Sequence, residues 1–238
     1  TFFPKTYTLG NYVKLFTDTS ILNFPKMFMN TFIIAIFTCI ISTIFVLSVS
    51  YTMSRMRFKM RKPFMNVAMI LGLFPSFMSM IAVYYILSAL GMAEGAMIRV
   101  ALIVVFSAGS GVGFYVAKGF FDTIPKSLDE AATIDGATRW QIFTKITVPL
   151  SKPIIVYTIL TSFMGPWVDF IFGKVICRAD AEYYTVSIGL WKMLEKEYID
   201  SWYTCFAAGA VVVSIPIAIL FLATQKFYVD GMGGAVKG

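Results

Sequence analysis

Asn30-Thr-Phe-Ile-Ile-Ala-Ile-Phe-Thr-Cys39-Ile-Ile-Ser-Thr-Ile-Phe-Val-Leu-Ser-Val-Ser-Tyr51 runs without a single charge. At a rise of about 1.5 Å per residue, a helix of this length crosses a hydrocarbon core of roughly 30 Å. Lipid offers the backbone no hydrogen-bond partners, and a helix satisfies its own. The stretch therefore predicts a transmembrane helix. The residues that follow set its direction: Arg55, Arg57, Lys59, Arg61 and Lys62, with no acid among them. Such a run marks the cytoplasmic side. Read alone it is also a candidate nucleic-acid or phospholipid patch, but a span ends right beside it.

Composition extends this reading to the whole chain. Apolar residues make up 58% and charged ones 14%, and the apolar residues cluster in long runs, which calls for lipid as solvent. The formal charge of +7 fits the basic loops of a membrane protein, and no nucleic-acid module accompanies it. Histidine is absent, which removes the commonest metal ligand and the usual general base. Cys39 and Cys205 fall inside apolar runs and Cys177 stands alone, so no metal site or disulfide framework follows from their spacing. There is no P-loop, no Mg²⁺-binding phosphate site and no Ser/His/Asp constellation. No catalytic residue is assigned, and the chain is read as a non-enzyme.

Four more spans are expected. Residues 64–87 carry Pro75 near their middle, a kink that marks either a translocation path or a packing feature. Residues 97–117 contain Arg99, able to snorkel outward, and a small-residue run, Ala108-Gly109-Ser110-Gly111-Val112-Gly113, suited to close helix packing. Residues 153–172 are interrupted by Gly165-Pro166-Trp167. Their carboxylate, Asp169, is either a site within the membrane or close enough to the interface to reach water. Residues 205–224 include Pro216. The segment 173–204, with five acids, four basic residues and many aromatics, is assigned to the outside, which leaves Cys177 accessible there. Its aromatics suit either sugar stacking or an interfacial belt. The belt is the assignment for Trp202 and Tyr203, as it is for Tyr84 and Tyr85. Five spans carry an external start to an internal end, in agreement with the basic run inside.

Between the third and fourth spans lies the most informative polar stretch, Ser127-Leu-Asp-Glu130-Ala131-Ala132-Thr-Ile-Asp135-Gly136-Ala-Thr-Arg-Trp140-Gln-Ile-Phe143-Thr-Lys-Ile146-Thr-Val148-Pro149. Ser127 and Glu130 have capping-box spacing, and so do Thr138 and Gln141. Gly136 between them predicts a break, and Pro149 and Pro153 a stop. Trp140, Phe143 and Ile146 recur every three residues and share one face. The product is a helix–Gly–helix elbow with an apolar, aromatic-tipped face. From physics alone it reads equally as a connector lying on the membrane surface.

The order Glu130-Ala131-Ala132, Asp135-Gly136-Ala137 and Ile146-x-Val148-Pro149 resembles the E-A-A-x-x-x-G loop, ending in I-x-L-P, of permease subunits in binding-protein-dependent ABC importers. Val148 replaces the usual leucine. The ending Gln225-Lys226-Phe227-x-x-x-Gly231-x-x-Gly234-Ala235-Val236-Lys237-Gly238 resembles that of carbohydrate-importer permeases of the maltose-permease-like kind.

The resemblance implies an all-α polytopic protein of the bacterial cytoplasmic membrane, forming a single transmembrane domain over 1–238. Five transmembrane helices lie in this chain, and a sixth, N-terminal one is expected before Thr1, because Tyr7-Thr8-Leu9-x-Asn11-Tyr12 resembles the lead-in after a first span. Residues 118–152 are then the cytoplasmic coupling loop, 173–204 the external loop and 225–238 the cytoplasmic tail.

The implied partners are a second permease subunit, two ABC ATPase subunits, an extracytoplasmic sugar-binding protein, the sugar itself and membrane lipid. No nucleic acid is among them. ATP and Mg²⁺ belong to the ATPases, and this chain binds no cofactor. ATPase coupling falls to Glu130, Ala131, Ala132, Asp135, Gly136, Trp140, Phe143, Ile146 and Pro149, and tail contact with the ATPases to Gln225, Lys226, Gly234 and Lys237. Pro75, Trp167 and Asp169 are candidates for the substrate path. The rival class is a secondary transporter driven by an ion gradient, resting on Asp169 as the sole acid within a span.

Overall fold

The computed structural model describes residues 8–73, 76–109, 113–178 and 180–233. Among them the chain is helical: α1 (Gly10–Thr17), α2 (Phe24–Arg55), α3 (Arg61–Gly72), α4 (Ser76–Ala89), α5 (Met97–Gly109), α6 (Gly113–Thr123), α7 (Lys126–Ile134), α8 (Arg139–Leu150), α9 (Lys152–Val168), α10 (Ile171–Cys177), α11 (Val186–Met193) and α12 (Ile199–Gly233).

The uncharged run of residues 30–51 lies within α2, whose 32 residues exceed what one crossing needs. α2 and the Ile199–Phe227 part of α12 are each long and apolar enough to cross a membrane; the count reaches four only where each of two bent pairs, α5 with α6 and α8 with α9, is taken as one span. The expected second span is divided between α3 and α4, and Pro75 lies outside the described residues. α9 stops at Val168, short of the expected 172.

The chain forms two compact units. One gathers residues through Ala35, Met80–Ile103 and Met164–Ile219; the other holds Ile36–Ser79, Val104–Phe163 and the residues from Leu220 onward.

In the first unit the start of α2 is sewn to the segment before α11. Asn30 Nδ2 donates to the carbonyls of Glu182 (2.9 Å) and Tyr184 (3.2 Å), and Thr31 Oγ1 accepts from the Val186 amide at 2.9 Å. Arg99, expected to snorkel, instead donates from Nε to Asn30 Oδ1 at 3.0 Å and lies over the Tyr183 ring. A buried amide side chain offers a better partner than the interface does. Residues 173–204 are accordingly no loose loop. α10, α11 and the first turn of α12 occupy much of them, and Gly189 of α11 sits so close to α2 that a Cβ would meet Met27 Sδ at 2.5 Å.

Three further expectations change. Trp202 is 2% exposed, with Lys14 Nζ 4.8 Å above its ring, so it belongs to the core under α1; Tyr203 is exposed. Tyr84 is buried beneath the Arg178 guanidinium at 4.1 Å, whereas Tyr85 is exposed. Cys177 is 1% exposed and its thiol points to the Tyr183 carbonyl.

The second unit packs α2, α6 and α9 around Val46, Tyr51, Phe114, Phe121 and Ile154, and Ser50 Oγ donates to the Phe114 carbonyl at 3.0 Å. Of the small-residue run, Gly113 approaches Val46 of α2, Gly109 has nothing near its Cβ direction, and residues 110–112 lie outside the described residues.

Candidate functional site

The polar stretch folds as the predicted elbow. α7 ends at Ile134 and the chain turns through Gly136 at φ +82°, in the left-handed region that a residue with a Cβ enters at a cost. Ala137 N–H donates to the Ala132 carbonyl (2.9 Å) and Gly136 N–H to the Thr133 carbonyl (3.1 Å). These two bonds make a Schellman stop. α8 then opens on a complete capping box: the Gln141 amide donates to Thr138 Oγ1 and the Thr138 amide to Gln141 Oε1. Phe143–Thr147 continue α8 as a π turn.

The first expected capping box is not formed. Pro125 occupies the cap position and α7 begins at Lys126, which places Ser127 inside the first turn rather than before it. Pro149 does not stop α8 either; it sits in the last turn. The chain then swings by 80° into α9 at Ser151, and Pro153 lies in the first turn of α9.

What holds the elbow in place comes from α2. Arg55, 5% exposed, donates from its guanidinium to the carbonyls of Phe121 (3.0 Å) and Ile124 (2.9 Å) at the end of α6. The same group faces Asp129 of α7, Nε to Oδ2 at 3.4 Å. One side chain thus satisfies orphan carbonyls of one helix and fixes the next. Four residues earlier, Tyr51 donates its hydroxyl to the Arg139 carbonyl at 3.3 Å, and its ring lies 4.7 Å from Phe143.

The expected Trp140–Phe143–Ile146 face is therefore split. Phe143 and Ile146 are half-buried, while Trp140, its ring 5.7 Å from Phe143, is 70% exposed. Ile134, at the end of α7, is also exposed, at 87%. Asp135, Gly136 and Ile146 line one shallow groove with Gln141 and Lys145. Glu130 and Ala131 are exposed and Ala132 is half-buried, all on α7.

The sequence reading missed Arg55, Tyr51 and Ile134. Arg55 carried a signal, as the first cation after the span, four residues beyond Tyr51, but its acid partner lies far along the chain.

The remaining candidates lie elsewhere. Trp167 is buried, edge-on to Phe28 (5.2 Å) and Phe32 (6.4 Å). Asp169 lies in the break between α9 and α10, where its Oδ1 accepts the Gly173 amide at 3.1 Å and its carbonyl accepts the Ser187 hydroxyl. In the tail, Gln225 and Lys226 are exposed on α12, while Gly234 and Lys237 lie outside the described residues.

Residues 45–232 match the family described as the binding-protein-dependent transport system inner membrane component. The chain belongs to this family. It is 36% identical to the galactooligosaccharides transport system permease protein GanQ of Bacillus subtilis over 99% of this chain and 82% of that one. It is 33% identical to the maltodextrin transport system permease protein MdxG of the same organism, over 99% and 83%. A bacterial ABC transporter involved in import of the acidic polysaccharide alginate shares the fold, with a TM-score of 0.75 and 24% identity over 94% of this chain and 81% of the other.

Family membership makes the chain a multi-pass permease subunit of the cytoplasmic membrane in a binding-protein-dependent ABC importer, and not an enzyme. The gradient-driven alternative has no support among these relatives.

Proposed function

We propose that this permease forms half of a translocation path for a sugar or oligosaccharide, and that residues 118–152 face the cytoplasm and couple it to a separate ATPase. The observation that carries the coupling role is the exposure of both Ile134 and Trp140 on an elbow otherwise braced from within by Arg55, Tyr51, a Schellman stop and a capping box. A connector needs neither the bracing nor the uncovered aromatic. Exposed apolar groups on a rigid frame are what a docking partner buries.

In this reading Glu130, Ala131, Ala132, Asp135, Gly136, Trp140, Phe143, Ile146 and Pro149 serve the ATPase contact. Trp140 touches the partner, Gly136 and Pro149 shape the turn, and Phe143 anchors the elbow to Tyr51. The tail, through Gln225, Lys226, Gly234 and Lys237, reaches the same ATPases, which hold ATP and Mg²⁺. The full assembly has a second permease, two ATPases and an extracytoplasmic sugar-binding protein that meets the 173–204 side. The relatives named for galactooligosaccharides and maltodextrin favour a carbohydrate. Pro75, Trp167 and Asp169 are assigned to the path or its packing.

The test is a reconstituted complex in which ATP hydrolysis is measured with binding protein and a panel of sugars. Stimulation by an oligosaccharide supports the reading. Crosslinking from Ala132→Cys should capture the ATPase, and efficient capture from Lys59→Cys with none from position 132 would move the contact to the basic run.

A further inference from the structure

A second feature lies beside the elbow and shares the Arg55–Asp129 pair with its bracing. Arg57, Arg61 and Lys126 line an open cavity of about 190 Å³ together with Glu130 and the Arg55–Asp129 pair. The cations come from three places: the segment after α2, the first turn of α3 and the first turn of α7.

Asp129 faces Arg55, and Asp122 accepts hydrogen bonds from Ser54 at 2.6 Å and from Lys118. The cavity wall carries four cations, Arg55, Arg57, Arg61 and Lys126, against two acids, Asp129 and Glu130.

We propose that this cavity binds a phosphate group, supplied either by the headgroup of an acidic phospholipid or by free phosphate. The location favours the lipid: the cavity sits at the end of the apolar run of α2, where the chain leaves the hydrocarbon, and anionic headgroups gather basic side chains at that depth. The planar forks of Arg57 and Arg61 suit phosphate oxygens, and Lys126 adds a point charge.

The test uses the assembled transporter in neutral detergent with phosphatidylcholine, titrated with phosphatidylglycerol and read by native mass spectrometry. The triple variant Arg57→Gln/Arg61→Gln/Lys126→Gln should need on the order of a hundredfold more phosphatidylglycerol for half-saturation, at about fivefold per cation. Lys59→Gln/Lys62→Gln, which removes two charges of the same run outside the cavity, should leave the titration unchanged. Arg57→Lys should recover part of the loss if the fork rather than the charge alone matters.

Inorganic phosphate provides the second arm. Competition by millimolar phosphate with lipid still preferred assigns the headgroup, and a phosphate adduct that excludes lipid assigns the soluble source. The proposal fails if the triple variant titrates like the wild type, if phosphatidylcholine binds equally well, or if the Lys59/Lys62 variant loses as much as the triple.

Discussion

Arg55 Nε stands 3.4 Å from Asp129 Oδ2, so the last residue of the long apolar helix α2 grips the first turn of α7. Because the same guanidinium also holds the Phe121 and Ile124 carbonyls, any displacement of α7 is felt at the ends of α2 and α6 together. In the proposed coupling, this is the contact through which motion of the elbow would reach α2.

Arg55→Gln should therefore weaken the fold and the coupling together. It strands a largely buried carboxylate and two carbonyls, a loss of about 3 kcal/mol. Asp129→Asn leaves Arg55 both carbonyls and should cost less. Thermal unfolding of the purified complex ranks the two. Equal and negligible losses would make the pair incidental.

Trp140 and Phe143 should separate binding from stability. Trp140→Ala removes an exposed ring and should change the permease's own stability by no more than about 0.5 kcal/mol while reducing ATPase retention on purification. Phe143→Ala strips the ring packed on Tyr51 and should cost about 2 kcal/mol. If Trp140→Ala retains the ATPase at wild-type level, the exposed face is not the contact.

Much of this arrangement was legible in the sequence where local chemistry alone decides it. The uncharged run of residues 30–51 became α2, Gly136 took the left-handed turn, and Thr138 with Gln141 closed a cap three residues apart. Readings failed where a distant partner outweighed a local preference. Arg99 found Asn30, Trp202 found Lys14, and Cys177 vanished under the Tyr183 carbonyl. Ser127 had the spacing of a cap, but α7 starts at Lys126 with Pro125 in the cap position, which leaves Ser127 inside the first turn. Arg55 looked like one cation among five, and only the fold shows which one faces an acid.

Cys177 should resist impermeant thiol reagents although 173–204 faces outward in the proposed topology. Burial pushes its thiol up to about 12, with Asp180 adding and Lys174 opposing. The reactive thiolate is thus scarce at neutral pH, and labelling should keep climbing with pH beyond 9 instead of levelling there. Glu197→Cys, at an exposed position, should label readily from outside in the same preparation. Labelling of position 197 only after membrane disruption would invert the topology.

Gly136 gives the sharpest test of the elbow. At φ +82° a Cβ costs roughly 1–2 kcal/mol, and nothing lies within 4 Å of where that Cβ would stand, so the penalty is backbone strain without a clash. Gly136→Asn should be tolerated best, since asparagine enters the left-handed region more readily than other side chains. Gly136→Val should be tolerated least, and Gly136→Asp adds repulsion from Asp135. The core around Val46, Phe114 and Phe121 lies elsewhere, so each variant should still insert and pair with the second permease, as co-purification would show. Loss should appear in hydrolysis that no longer responds to loaded binding protein, and in transport, in the order Asn, then Asp, then Val. Wild-type coupling in Gly136→Val would mean that the turn bears no load and the elbow is a passive connector.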